Sequence, residues 1–179
     1  MPVPPLLLIL LAPALGVVLI AAIPEQRHAW VRRIAAGSTL ISLLGALSIA
    51  CTYHIGGTSY QYEVMIPWVP TLGIGFHLGV DGISTALMLL HAVCAFTGVL
   101  VSYAIPSRVK EYYIFYLVLI TGVFGVFLSL DLFFFYFFYE MAVLPMYPLI
   151  GIWGSDVKEH GVVRFSKEYA AMKDRKSVV

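Results

Sequence analysis

Apolar residues dominate five stretches of this chain, and polar residues collect between them. Residues 4–23 (PPLLLILLAPALGVVLIAAI) form the first run. The others cover 34–53, 81–105, 112–130 and 131–154. Each is about 20 residues long, and at about 1.5 Å per residue such a helix crosses a hydrocarbon core of about 30 Å. The first run is not preceded by Lys or Arg, so it lacks the basic leader of a cleaved signal and reads as a span. The second is rich in small residues (Ala35, Ala36, Gly37, Ser38, Gly45, Ala46, Ser48, Ala50), which permit close helix approach in lipid. Asp81 or Ser84 caps the third, and Pro106 ends it. Almost no link separates the fourth and fifth, so they form an antiparallel pair.

The segments between the runs differ in kind. Residues 24–33 are a short polar link, and 106–111 a short basic one. Residues 54–80 carry Gly56, Gly57, Pro67, Pro70, Gly73, Gly75 and Gly79, with polar–aromatic alternation over 59–64. This pattern predicts a non-helical surface loop with short extended segments, a candidate hairpin, on one membrane face. From Ser155 onward the chain is polar and charged. The fold class is therefore an all-α membrane protein with five transmembrane helices and a non-helical outer loop at 54–80.

Charge fixes an orientation. The eleven Lys and Arg fall in the first link (Arg27, Arg32, Arg33), the third (Arg108, Lys110) and the tail (Lys158, Arg164, Lys167, Lys173, Arg175, Lys176). Five spans put these places on one side, so the positive-inside rule sends residues 155–179 to the cytoplasm and the N-terminus outside. Composition agrees: 60% of residues are hydrophobic and 12% charged, far from a soluble domain. The net charge of +1, without a basic stripe, argues against nucleic acid as a partner and leaves the lipid bilayer. Cys51 and Cys94 lie in apolar runs, and no CxxC, Cys/His ligand spacing, haem motif, GxGxxG or P-loop occurs. These patterns support no disulfide framework, metal site or cofactor site in this chain.

One acid interrupts the fifth run. Glu140 lies about 13 Å into it, near the middle of the bilayer core, where an ionisable group is costly and usually functional. Tyr136, Leu144 and Tyr147 share its helix face. Pro145 and Pro148 cannot donate to the carbonyls of Met141 and Leu144, which predicts a kinked, polar notch where water sits beside a buried acid. The two tyrosine hydroxyls would then flank a carboxylate able to gain and lose a proton. The alternative is an acid that only bonds a neighbouring helix. His91, also mid-span, is either a proton relay or a helix-to-helix hydrogen bond. Asp81 and Asp131 stand where caps stand, and Glu63 and His77 are expected to be solvated loop residues. The aromatic run at 133–139 reads as packing rather than a quinone or haem pocket.

The stretches FHLGVDGIS at 76–84, LDLFFFYFFYEMAVLPMYPLIGIWG at 130–154 and KEYAAMK at 167–173 resemble the chain M (ND4-type) antiporter-like subunits of the proton-pumping NADH:quinone oxidoreductase, respiratory complex I. The resemblance implies a bundle of 14 helices whose fifth carries the acid matched by Glu140. That acid pairs with a lysine on the seventh helix and couples charge movement to proton translocation. It implies helices 1–3 with their loop over 1–110, the start of the proton-translocating domain over 111–173, and a tail at 174–179 that departs from the family. NADH, FMN, the iron–sulfur clusters and quinone would lie in partner subunits. The partners would be other membrane subunits, neighbouring antiporter-like subunits above all, and the location the bacterial inner (cell) membrane. The departure at 174–179 leads to the expectation of an N-terminal fragment that lacks the lysine, holds Glu140 neutral and does not pump alone. Two other readings stand beside it. One is a subunit of a multisubunit Mrp-type cation/proton antiporter or membrane-bound hydrogenase. The other is a small structural or assembly membrane protein.

Overall fold

A computed structural model describes residues 5–54, 60–69, 71, 73–105, 107–154, 157–159 and 162–164. Pro106, the KEYAAMK element and the 174–179 tail lie outside the described residues. Among the described residues, five helices are long and apolar enough to cross a membrane: α1 (Pro5–Ala22), α2 (His28–Thr52), α3 (Gly82–Val101), α4 (Val109–Leu128) and α5 (Leu132–Trp153). In hydrocarbon every backbone polar group must be paired within the segment, and these apolar runs have no other regular option. The span count matches the five apolar runs, but several boundaries move, among them the start of α4 at Val109, which takes in Lys110 and Glu111. α2 begins at His28, so Arg32 and Arg33 are helical rather than part of the polar link. α4 ends at Leu128, which leaves three residues, 129–131, to turn into α5.

Between α2 and α3, strands β1 (Gln61–Val69) and β2 (Ile74–Val80) form an antiparallel hairpin, with Val64 opposite Leu78 and Ile66 opposite Phe76. The turn contains Gly73 at φ 69°, a conformation other residues rarely adopt. Glu63, exposed as expected from sequence, reaches the partly exposed His77 across this hairpin at 3.4 Å. The hairpin is tied to the α4–α5 turn: Leu130 N donates to the His77 carbonyl at 2.8 Å, and Leu78 bridges Ser129. Two short strands, β3 (Val157–Glu159) and β4 (Val162–Arg164), pair beyond α5.

α1 and α2 meet closely because their contact residues are small. Pro13 has no N–H to give to the Ile9 carbonyl, and Ser42 Oγ of α2 donates to that carbonyl at 2.9 Å. Gly45 lets Ile9 in beside it, and Gly16 packs on Ser38. A proline that would cost one helix a bond is thus satisfied by the next helix.

The end away from the hairpin carries the described cations, and two of them bind helix ends. Lys110 Nζ donates to the carbonyls of Ala21 at 2.9 Å and Ile23 at 2.7 Å, at the C-terminus of α1. Arg32 donates to the Ile105 carbonyl at 3.1 Å, just past α3, with its guanidinium 5.6 Å from the Tyr103 ring centre. A cation there satisfies orphan carbonyls and opposes the helix dipole. Replacing Lys110 by glutamine is expected to destabilise the chain by about 0.5–1 kcal/mol. This would lower its unfolding midpoint in mixed detergent micelles. Arg108→Gln should leave that midpoint unchanged, because Arg108 meets only exposed Glu111 at 3.7 Å.

Candidate functional site

α4 and α5 form the most extensive helix pair. Their seam is built from Phe138, Ala142 and Pro145 on α5, three to four residues apart and buried, against Gly122 and Gly125 on α4. At Gly122 a Cβ would stand 2.5 Å from the backbone nitrogen of Ala142, so the two backbones are in contact. Glu140 is two residues from both Phe138 and Ala142, a rotation of about 200° from each. The seam therefore turns Glu140 outward.

Glu140 lies about 12 Å from the start of α5, near the middle of the span. It is exposed, and so are Tyr136 (59%), Leu144 (68%) and Tyr147 (72%), the residues that share its face. Within this chain that face is therefore open. Glu140 lines a groove of about 440 Å³ between α4 and α5, together with Ile114, Phe115, Val118, Phe137, Met141, Leu144 and Pro145. Apart from the carboxylate, that lining is apolar, so it is no polar notch. Pro145 and Pro148 lie inside a helix that runs on from Leu132 to Trp153. The carboxylate makes no hydrogen bond or ion pair among the described residues, and the Tyr136 hydroxyl does not reach it. Only 17% of the α5 span is buried, against 44% of α4, so α5 is the open edge of the bundle.

The other candidates fall elsewhere. His91 Nε2 lies 3.3 Å from the Ile120 carbonyl of α4, with its ring edge-on to Phe124 at 4.6 Å. This is the helix-to-helix contact that sequence allowed, on a different face of α4 from the Glu140 groove. Asp81 caps α3 by accepting from Ser84 N at 2.6 Å. Asp131 caps α5 by accepting from Phe133 N and Phe134 N at 2.9 and 3.2 Å, and Gly75 of the hairpin donates to its second oxygen at 3.4 Å. Both aspartates are thus occupied in structure. Trp68 and Phe76 of the hairpin pack on Phe133 and Phe134, which accounts for part of the aromatic run as packing. Among the described residues no cluster of His, Cys, Asp and Glu has a form that could hold a metal ion.

The Ser84 hydrogen bonds hold the Asp81 carboxyl below its ordinary pKa. A depressed carboxyl contributes stability above its unfolded pKa and loses it as pH falls through the folded one. Asp81→Ala is therefore expected to cost about 1 kcal/mol at neutral pH. The difference from wild type should shrink as the pH falls below the ordinary carboxylate range. Unfolding midpoints of the two proteins across that range measure it.

Sequence reading missed Gly122 and Gly125, the residues that bring α5 into place. Their signal was present: two glycines three apart face one side of a membrane helix. Lys110 and Arg32 carry no local signal as helix-end ligands, because the carbonyls they meet at Ala21 and Ile105 lie 89 and 73 residues away.

No family model matches the chain. It is 32% identical over 163 residues to the NAD(P)H-quinone oxidoreductase chain 4, chloroplastic, of Chara vulgaris, covering 90% of this chain and 33% of that protein. It is 36% identical over 131 residues to NADH-quinone oxidoreductase subunit M of Escherichia coli, covering 70% of this chain and 25% of that one. The respiratory complex I from Thermus thermophilus with bound NADH contains a chain that superposes with a TM-score of 0.67 at 26% identity. That match covers 83% of this chain and 29% of the other. The chain thus spans a quarter to a third of the length of the curated relatives it matches.

Proposed function

We propose, from the family to which this chain belongs, chain 4 or subunit M of the NADH-quinone oxidoreductases, that it serves proton translocation coupled to electron transfer from NADH to quinone. The observation that carries the proposal is Glu140: a mid-span carboxylate without a partner among the described residues, on the outward face of the least buried helix. An acid at that depth is stable only where a cation, water or another polar group meets it. No lysine lies in any of the five helical spans except Lys110, at the first turn of α4. The counter-charge for Glu140 therefore comes from protein packed on the open face of α5, as the resemblance implies for a lysine of a later helix. In that setting Glu140 accepts a proton when the cation moves away and releases it when the cation returns. Tyr136 and Tyr147 border the path, and Pro145 and Pro148 shape it. His91 takes no step.

Other membrane subunits of the same complex are the partners on this reading. NADH, FMN, the iron–sulfur clusters and quinone belong to those partner subunits, and this chain adds no redox centre. The basic end faces the cytoplasm of a bacterial cell membrane, and the hairpin faces outside. The names of the sequence relatives favour the oxidoreductase over an antiporter or hydrogenase subunit. NADH-driven acidification of membrane vesicles, compared between wild type and Glu140→Gln in the assembled complex, tests the assignment. Unchanged acidification removes it.

A further inference from the structure

We propose that the groove between α1 and α2 binds an anionic phospholipid, with one acyl chain along the groove and the phosphate held at its basic end by Arg27 and Arg33. The groove has a volume of about 520 Å³ and is walled by Leu8, Leu11, Leu15 and Leu19 of α1 and Ile34 and Ile41 of α2. Its floor is Gly16 and Ser38, and the Ser38 hydroxyl donates to the Ala35 carbonyl of its own helix. No polar group is therefore left in it to ask for anything but hydrocarbon. From Leu8 to Leu19 it runs about 16 Å, close to the depth of one leaflet of a core of about 30 Å.

The basic end supplies the headgroup chemistry. Trp30 lies four residues before Ile34 and Arg27 seven, on the face of α2 that forms the groove wall. Trp30 is 53% exposed, as an interfacial tryptophan is, and the Arg33 guanidinium sits 5.7 Å from its ring centre. Three other cations of the helices and their links are engaged: Arg32 with the Ile105 carbonyl, Lys110 with the carbonyls of Ala21 and Ile23, and Arg108 with Glu111. Arg27 and Arg33 have no carboxylate partner among the described residues, and Glu25 pairs with neither. Two unmatched positive charges at the mouth of an apolar channel of leaflet depth complement an amphiphile with one negative head. A zwitterionic lipid brings its own cation to the same place and gains less.

The test uses the full chain in phosphatidylcholine bilayers. With Trp68→Phe and Trp153→Phe, Trp30 remains as the sole tryptophan and reports the groove mouth. Phosphatidylglycerol with brominated chains should half-quench it at a mole fraction lower, by about fivefold or more, than brominated phosphatidylcholine, since each basic residue near an anionic surface contributes about that factor. Arg27→Gln with Arg33→Gln should bring the two lipids to the same value. Ala12→Phe, which fills the groove and keeps both arginines, should weaken the preference severalfold. A sole Trp68, at the hairpin end, should show no preference. Equal quenching by both lipids overturns the proposal, as does a preference that survives loss of both arginines. Quenching by neither lipid assigns the groove to a protein segment and overturns it too.

Discussion

Replacing Glu140 by glutamine in the full-length subunit of the assembled complex is expected to lower proton translocation on the order of a hundredfold, the low end of what a positioned proton-transfer group contributes. Glutamine keeps the size and the hydrogen-bonding capacity of the side chain but cannot take up or give up a proton. Because Glu140 is an exposed lining residue of the α4–α5 groove and glutamine matches its size, the substitution removes no packing within this chain. The amount of assembled complex should therefore stay as it was, which separates a lost proton site from a misfolded subunit. Glu140→Asp retains the acid on a shorter stem and should keep a measurable fraction of the rate. Glu63→Gln on the hairpin should leave pumping intact, since that acid is half-exposed and faces His77 at the membrane surface. Dye-detected acidification of inverted vesicles driven by NADH measures all three. Full activity in the glutamine variant would overturn the role given to Glu140.

The second large effect is steric. Gly122→Leu is expected to drive α5 off α4, and even Gly122→Ala should cost about 1–3 kcal/mol, as overpacking does. The atoms a Cβ would meet are backbone: Ala142 N at 2.5 Å, Ala142 Cα and Met141 C at 2.9 Å. No rotamer change relieves contacts with a main chain, so the helices must separate. Gly151→Ala on α5 is the matched control, for nothing lies within 4 Å of a Cβ there. It should be neutral or slightly stabilising, because alanine favours a helix more than glycine does. Denaturation of each variant in detergent micelles reports the order. Equal midpoints for Gly122→Ala and Gly151→Ala would mean that the close α4–α5 contact does not support the fold.

The spans and the hairpin were legible in sequence because the bilayer imposes long apolar runs, and Gly73 and Gly75 mark the return between two alternating segments. The two caps were legible as well, since Asp81 and Asp131 each precede an apolar run. The outward direction of Glu140 was not. α5 is apolar nearly all round, so periodicity alone does not say which side faces α4. That side is selected by the glycines of the partner helix, a fact held in another segment of the sequence. The second helix started earlier than its apolar run for a related reason. Arg32 and Arg33 look like link residues until the Ile105 carbonyl and the Trp30 ring give their long side chains somewhere to go.

The two ends of the bundle are fastened by different means, so they do not loosen alike. At the hairpin, main-chain groups hold the junction: Leu130 N on His77 O, the Leu78–Ser129 bridge and the Gly75 N–H on Asp131. At the opposite end the ties are solitary side chains: Lys110 on α1, Arg32 on the end of α3 and Trp153 Nε1 on the Ser107 carbonyl at 3.0 Å. Long side chains yield more readily than paired backbone, so loss of the basic-end ties is expected to loosen α5 from Trp153 inward as far as its Gly122 contact, while its Asp131 end stays fastened to the hairpin.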